Sequence, residues 1–261
     1  KAVSSIWTEG DAIGVTTAAG ISKISYIMTD DRNVKYAYNA EKDVFQVVSK
    51  EGEDHTIYFK GPYTMSMTAY APYTGERGTL AGVIQASTTS EKQVGTARAT
   101  IDFLYAEGGG SQTNPRVEFQ FFHKMSQLVL AFKAGGGLEL DDISYTLKNI
   151  ILDGSFDTSA GSVASGKTTG NINMSLAKGK EMNSSVIVFP QKLASTLLLE
   201  LAMGGKTYAQ PIGNGIDLIS GNTYIFDVTI APQSMTVSPA KIEDWIWGEN
   251  SDHYVIAGES E

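Results

Sequence analysis

The sequence contains no cysteine, which excludes disulfide bridges, thiolate metal sites and cysteine nucleophiles. It also has no apolar run that approaches the roughly 20 residues of a membrane-spanning helix, so the mature chain is not expected to span a membrane. Basic residues are in deficit, with 20 Lys and Arg against 29 Asp and Glu and a formal net charge of −9. Because this charge repels phosphates and anionic lipids, nucleic acid and membrane surfaces are not expected partners.

The residues that are present favour a globular β protein. Hydrophobic residues make up 42% and charged residues 19%, which indicates a buried core rather than disorder. Apolar and polar residues alternate with a period of two in many short segments, and no long stretch keeps a helical period. The predicted strands are Val44–Ser49, Thr56–Lys60, Met65–Tyr70, Ala97–Tyr105, Val117–Phe121, Leu128–Lys133, Ile143–Ile150, Val186–Phe189, Leu197–Met203, Lys206–Gln210 and Tyr224–Ile230. We therefore predict an all-β protein made of one or two β-sandwiches.

Glycine-rich segments suggest how the chain is divided. The tract Gly135-Gly136-Gly137 is the best candidate boundary, which predicts an N-terminal domain over 1–135 and a C-terminal domain over 136–261. Gly204-Gly205 predicts a hairpin turn between two strands. Asp157–Gly170 is rich in Ser, Thr and Gly, and it predicts a long surface loop.

One segment matches a nucleotide-binding motif. Gly161–Thr168 fits the P-loop pattern G-x-x-x-x-G-K-[ST] in full. A working P-loop follows a buried strand and opens a helix, because the phosphates bind at the helix N-terminus. Ser155–Ala160 before the motif is not a buried strand, and Thr169–Asn173 after it is poor helix material. We interpret the match as a coincidence of composition.

Other catalytic and metal-binding signatures are missing. His55, His123 and His253 are far apart in sequence, and His123 is interpreted as a structural or edge residue. The pairs Asp30-Asp31 and Asp141-Asp142 are interpreted as turn residues, with a weak ion site as the alternative. We predict no catalytic residue, no metal site and no cofactor, and the chain is not expected to be an enzyme.

Aromatic residues leave a carbohydrate-binding function open. Trp245 and Trp247 lie two residues apart, so on a strand they share one face and form a small platform for a sugar ring. The alternative is that both rings pack in a core or an interface.

Seven short motifs resemble, in the same order, motifs of the fimbrillin-like proteins of Bacteroidetes. They extend over nearly the whole chain and comprise Trp7–Val15, Ala69–Tyr73, Asp102–Ala106, Phe119–Leu128, Val188–Gln191, Gly221–Tyr224 and Val237–Trp245. The resemblance implies two tandem transthyretin-like β-sandwich domains. It also implies a precursor lipoprotein that is exported to the outer membrane and loses a leader before the present Lys1.

The resemblance further implies a pilus (fimbrium) subunit that assembles by protease-triggered strand exchange, in which a strand from a neighbouring subunit fills a groove. The partners are then other pilus subunits, identical or different, joined head to tail. The alternative is a surface adhesin or tip protein that binds a glycan or a protein on a host or bacterial surface without polymerising. Shaft, tip and anchor positions in the pilus all remain open.

The C-terminal tail is the candidate donor strand, because it carries a β-prone apolar run in an otherwise polar segment. The alternatives are that the tail completes its own C-terminal sandwich or is a disordered end. The acceptor groove is expected near the start of the chain, where a removed strand would have stood. The predicted donor residues are Tyr254, Val255, Ile256 and Ala257, and the predicted acceptor residues are Val3, Ile6 and Trp7.

Overall fold

The computed structural model describes residues 7–17, 32–59, 63–180, 182–194 and 197–245, together with the backbone of a strand at His253–Ile256. Regular structure in these residues is almost entirely β, and the helices are two short 3-10 turns, Ser90–Gln93 and Gly95–Thr100. Within the same residues, no helix is long and apolar enough to cross a membrane. The predicted all-β class is confirmed, whereas the likeness to transthyretin domains stays a prediction.

The strands are short and follow each other closely along the chain. The first nine are β1 (Ala12–Thr17), β2 (Val34–Asn39), β3 (Val44–Val47), β4 (Met65–Ala71), β5 (Val83–Ser87), β6 (Leu104–Gly110), β7 (Arg116–Phe119), β8 (Phe122–His123) and β9 (Ser126–Ala134). The rest are β10 (Ile143–Ile151), β11 (Asp153–Asp157), β12 (Ser162–Ser165), β13 (Thr169–Leu176), β14 (Met182–Val188), β15 (Leu198–Met203), β16 (Lys206–Pro211), β17 (Asn222–Ala231), β18 (Ser234–Val237), β19 (Lys241–Asp244) and β20 (His253–Ile256).

An eight-stranded sheet, in the order β7-β20-β3-β2-β1-β4-β6-β8, surrounds the first core. Alternate side chains point inward, as in β1, where Ile13 and Val15 are fully buried, and in β2, where Val34 and Tyr36 are. We call the buried cluster that runs from Trp7 to Phe121 the first core.

Two further sheets enclose the second core, which runs from Leu128 to Met235. One has the order β14-β9-β17-β18 with β19 also paired to β17, and the other has the order β13-β10-β15-β16. Side chains from both sheets share this single core, which is the arrangement of a β-sandwich. Most strand pairs are antiparallel, but β9 and β17 run parallel from the pair Gln127–Thr223 to the pair Ala134–Ile230.

Strong alternation predicted strands well. In β17, Tyr224, Phe226, Val228 and Ile230 are all fully buried. The predicted hairpin turn at Gly204-Gly205 is also confirmed, since it joins β15 to β16 with φ values of +55° and +75°. Two successive positive φ angles match the twist of the flanking strands and favour glycine at both positions.

Three segment predictions are wrong. Ala97–Tyr105 starts in the 3-10 turn Gly95–Thr100, and only Leu104 and Tyr105 belong to a strand, β6. Thr56–Phe59 forms no regular strand. Apolar and polar residues alternate there because Ile57 and Phe59 pack into the first core. Asp157–Gly170 is no long loop, since it contains β12 and the start of β13. In all three segments, tertiary contacts outweigh the local pattern.

A third cluster, the junction core, joins the two halves of the chain. It contains Tyr70, Ile101, Phe103, Tyr105, Met125, Phe156, Ile187, Phe189 and Trp245. Beside it, β5 from the first half pairs with β11 from the second, and β12 completes a three-stranded sheet. The predicted domain boundary at Gly135 follows β9, whereas β9 already packs in the second core and the first core ends at Phe121. Two independently folding domains therefore stay a prediction.

Two polar side chains cover the outer edge of β14 from across the junction. The buried Gln93 amide accepts a hydrogen bond from Ile187 N at 2.8 Å and donates to the Ile187 carbonyl at 2.9 Å. The Arg98 guanidinium donates to the Ser185 carbonyl at 2.6 Å and to Ser185 Oγ at 3.0 Å. These bonds replace the strand that β14 lacks on that side, and they protect the edge from another chain. We call them the β14 clasp.

Candidate assembly interface

The C-terminal strand β20 lies inside the eight-stranded sheet rather than beside the second core. It runs parallel to β3, with Tyr254 opposite Val44 and Val255 opposite Phe45. On its other side it runs antiparallel to β7, where Val255 is opposite Val117. Of the two alternatives for the tail, completion of its own C-terminal sandwich is therefore wrong for His253–Ile256, because these residues complete the sheet of the first core.

Each neighbour of β20 has an edge whose backbone hydrogen bonds are formed with β20. Among the described residues, β7 pairs with no strand other than β20, and β3 pairs otherwise only with β2. Removing β20 would therefore expose the hydrogen-bonding edges of both β3 and β7. Open edges of this kind readily accept a strand from another chain.

The space between β3 and β7 that β20 occupies is a groove, and its floor is apolar. Phe45 and Val117 are fully buried, and Phe119 is 2% exposed. Residues opposite each other in a ladder lie on the same face of a sheet. Position 255, opposite both Phe45 and Val117, therefore lies on the face that covers the first core.

Of the predicted acceptor residues, the structure describes Trp7. Its indole is buried and meets the rings of Phe45 at 4.9 Å and Phe121 at 5.2 Å, both edge to face. Trp7 thus packs beneath β3, which borders the position of β20. Val3, Ile6 and the predicted donor Ala257 lie outside the described residues.

The opening motif Trp7–Val15 forms the turn that the sequence indicates. The Asp11 carboxylate accepts hydrogen bonds from Thr8 N at 2.8 Å and from Thr8 Oγ1 at 3.0 Å, and Gly10 has φ +86°. Gly14 is required for a different reason. A Cβ added there would lie 2.4 Å from a ring carbon of Tyr70.

Three of the seven motifs come into contact beside the junction core, through Asp102, His123 and Trp245. His123 is buried, and its Nδ1 lies 2.7 Å from the Asp102 carboxylate. Its ring stacks on the indole of Trp245 at 3.8 Å with an interplanar angle of 7°. The structural interpretation of His123 is confirmed. The motif from Phe119 to Leu128 connects the first core to the second.

The structure does not place Trp245 on an exposed platform for a sugar ring. Trp245 is 5% exposed in the junction core, and Trp247 lies outside the described residues.

The P-loop match has no phosphate-binding geometry. Its residues Ser162–Ser165 form β12, which pairs with β11, and the next element is the strand β13 rather than a helix. A Cβ added at Gly161 would lie 2.3 Å from the Tyr105 ring, so this glycine serves packing.

No metal centre is present in the part of the chain that the structure describes, where no three His, Asp or Glu side chains converge. Asp141 Oδ1 accepts a hydrogen bond from Asp142 N at 2.9 Å, and Asp142 Oδ1 accepts one from Lys178 N at 2.8 Å. Both residues lie in the irregular segment just before β10 and not in a turn. Asp30-Asp31 lies outside the described residues, and only the backbone of His253 is described.

Comparisons with known proteins agree with this architecture. The sequence model of a family described as "Fimbrillin-like" matches residues 1–245. The Bacteroides uniformis protein named "Putative fimbrium subunit Fim1C" is 27% identical over 95% of this chain and 82% of its own length. A crystal structure of a "putative cell adhesion protein" from Bacteroides ovatus is 32% identical, with a TM-score of 0.83 over 95% of this chain and 92% of that one. A second one, from Bacteroides uniformis, shares the fold at 22% identity, with a TM-score of 0.70 over 92% of this chain and 93% of that one. This chain therefore belongs to the fimbrillin-like family.

Proposed function

We propose that this chain is a non-enzymatic subunit of a cell-surface fimbrium and that β20 is the strand it exchanges with a neighbouring subunit. The observation that carries the proposal is the position of β20 between β3 and β7. A strand from the C-terminal tail completes the sheet of the first core, although the tail follows the second core in sequence. The same position can receive the equivalent strand of another copy.

Affinity in such an exchange comes mainly from the main chain. A strand that enters between β3 and β7 forms ladders on both sides at once. Specificity comes from alternate side chains that fill the apolar floor. Residue 255 occupies the position opposite Phe45 and Val117, and we assign it the role of the anchoring residue.

Donor and acceptor lie on different parts of the subunit, which determines the geometry of the assembly. The donor follows the second core and the acceptor belongs to the first, so each subunit gives to one neighbour and receives from another. Such head-to-tail contacts produce a filament when the rotation between neighbours does not close a ring. As part of the same proposal, the precursor is a lipoprotein exported to the outer membrane, and proteolytic removal of an N-terminal strand triggers the exchange, with Val3 and Ile6 as proposed acceptor residues.

An engineered disulfide distinguishes a tail that stays in its own subunit from one that is exchanged. Tyr254 lies opposite Glu118, and residues opposite each other have Cβ atoms about 4.5–5.5 Å apart, near the separation a disulfide needs. Because the chain has no cysteine of its own, the pair Glu118→Cys and Tyr254→Cys is the only one available. After protease treatment and oxidation, we expect covalent multimers in a non-reducing gel. Oxidised monomers alone, under every condition, would contradict exchange and favour a tip or adhesin subunit.

A peptide experiment tests the donor directly. A chain that lacks Asp252–Glu261 should bind a labelled peptide of those ten residues in fluorescence polarisation. The matched control is the same peptide with Val255→Asp, which should bind at least about tenfold more weakly because it places a carboxylate against an apolar floor. Equal binding of both peptides, or normal assembly of the truncated chain, would refute the donor role.

A further inference from the structure

A cleft of about 350 Å³ opens beside β2. Two loops border it, one from Val48 to His55 and the other from Tyr73 to Arg77. Lys35 lies between the fully buried Val34 and Tyr36, so its side chain points out of the first core. We call this site the Lys35 cleft. Its volume is within the range of small-ligand sites, about 300–1,000 Å³.

A buried histidine holds the first loop in place. His55 is 6% exposed, and its Nδ1 lies 3.2 Å from the Val48 carbonyl. Its Nε2 lies 2.6 Å from the Glu53 carboxylate, and its backbone N–H donates to Ser49 Oγ at 3.1 Å. Since these bonds connect both ends of the loop, the side chain of Lys50 projects from a fixed backbone.

A buried asparagine holds the second loop. Asn33 is fully buried and has φ +53°, a left-handed conformation that asparagine tolerates. Its Nδ2 donates to the Thr74 carbonyl at 2.9 Å and to the Glu76 carbonyl at 3.2 Å. The Tyr70 hydroxyl also donates to the Thr74 carbonyl, at 2.7 Å. The cleft is thus built before any ligand arrives, which lowers the entropic cost of binding.

The lining of the cleft carries a small excess of positive charge on an acidic protein. Lys35, Lys50 and Arg77 all line the cleft, although the whole chain has a formal charge of −9. The Lys35 ammonium lies 5.4 Å from the centre of the Tyr73 ring. The hydrogen bond from His55, assisted by the charges of Lys50 and Arg77, lowers the pKa of Glu53, which therefore remains ionised.

The lining combines cations with acceptors for hydroxyl groups. The cations suit one carboxylate or sulfate group. The carboxylates of Glu53 and Glu76, also in the lining, accept hydrogen bonds from hydroxyls and repel a ligand with many negative charges. An acidic peptide or a nucleic acid strand fits this mixture poorly, whereas a sugar with one anionic group and several hydroxyls fits it well. Tyr73 adds an aromatic wall of the kind that packs against sugar rings.

We infer that the Lys35 cleft binds an acidic saccharide, that is, a sugar unit that carries one carboxylate or sulfate. This inference goes beyond the assembly proposal and does not depend on it, because no residue of the cleft belongs to β3, β7 or β20.

The test is titration of the full chain by isothermal calorimetry with four probes, namely sialyllactose, 6-sulfo-N-acetylglucosamine, neutral lactose and inorganic sulfate. We expect binding of at least one of the two acidic sugars, weaker or no binding of lactose and sulfate, and a loss of affinity as salt screens the charges. The acidic sugar that binds identifies the anionic group. Equal binding of lactose, binding of sulfate as tight as that of the sulfated sugar, or no binding of either acidic sugar would overturn the inference. Preferential binding of a polyglutamate peptide would do the same.

Variants locate the site. Lys50→Ala and Arg77→Ala alter exposed side chains, and each should weaken binding about tenfold, or about 1.4 kcal/mol. The matched control is Lys167→Ala, which removes an equally exposed charge outside the cleft and should leave affinity unchanged. Equal effects of all three variants would contradict a localised site. Because a chain without Asp252–Glu261 should bind the sugar normally, failure of this inference and failure of strand exchange are distinguishable.

Discussion

The β14 clasp gives the most quantitative prediction about how the two halves of the chain stay together. Gln93 is 2% exposed, and its amide forms three hydrogen bonds of 2.8–2.9 Å, two to Ile187 and one to the Thr88 carbonyl. Gln93→Ala removes all three and leaves the Ile187 N–H and carbonyl without partners. An unsatisfied buried polar group costs about 1–3 kcal/mol, so the two groups of Ile187 should together lower the free energy of unfolding by about 2–6 kcal/mol.

Urea unfolding followed by tryptophan fluorescence and circular dichroism measures this loss. The matched control is Gln85→Ala, an exposed glutamine on β5, which should change stability by less than about 0.5 kcal/mol. A loss for Gln93→Ala as small as that of the control would refute the clasp as a stabilising contact. The m-value should stay constant if the two halves still unfold together.

The variant Gln93→Glu distinguishes the contribution of hydrogen bonds to stability from that of packing. The variant has the same shape, but at neutral pH it places a carboxylate oxygen against the carbonyls of Thr88 and Ile187. Burial raises the pKa of such a carboxyl, and its protonated form can donate again. Because a carboxyl group has one donor hydrogen where the amide uses two, part of the stability lost in this variant should return as pH falls towards the ordinary glutamate pKa of about 4.3. A loss that does not depend on pH would contradict this account.

Three other predictions follow from buried contacts. Gly14→Ala should lower stability by about 1–3 kcal/mol in urea unfolding, because its Cβ would meet the Tyr70 ring at 2.4 Å; unchanged stability would contradict this packing. Gly161→Ala should be similarly destabilising, because of the Tyr105 ring, whereas Lys167→Ala should not alter stability; equal stability of the two variants would contradict the packing role of Gly161. Burial raises the pKa of Tyr145 from 10.0 to about 12. Between these values the unfolded tyrosine loses its proton while the folded one keeps it, so stability falls as pH rises from 10 to 12. Tyr145→Phe should make this alkaline decline shallower, and an identical slope in wild type and variant would count against the shift.

Much of the fold could be predicted because β periodicity is a local property. Strands whose two faces differ sharply in environment, such as β15 and β17, carry clear alternation and were predicted within a few residues. The strand predicted over Ala97–Tyr105 is wrong at its start, because alternation does not reveal the 3-10 turn that brings Arg98 to Ser185. A lone glutamine such as Gln93 has no sequence signal that marks it as the partner of a distant strand edge.

The candidate site, too, could be predicted from the sequence only in part. Composition and alternation determined the all-β class, and the ordered motifs from Trp7 to Trp245 pointed to the family, because both depend only on residue order. The tail run Tyr254–Ile256 was recognisable as a strand for the same reason. That this strand lies between β3 and β7 was decided by tertiary structure, since ladder pairing joins residues more than a hundred positions apart. The Lys35 cleft likewise exists only because the buried side chains of Asn33 and His55 hold two separate loops beside β2.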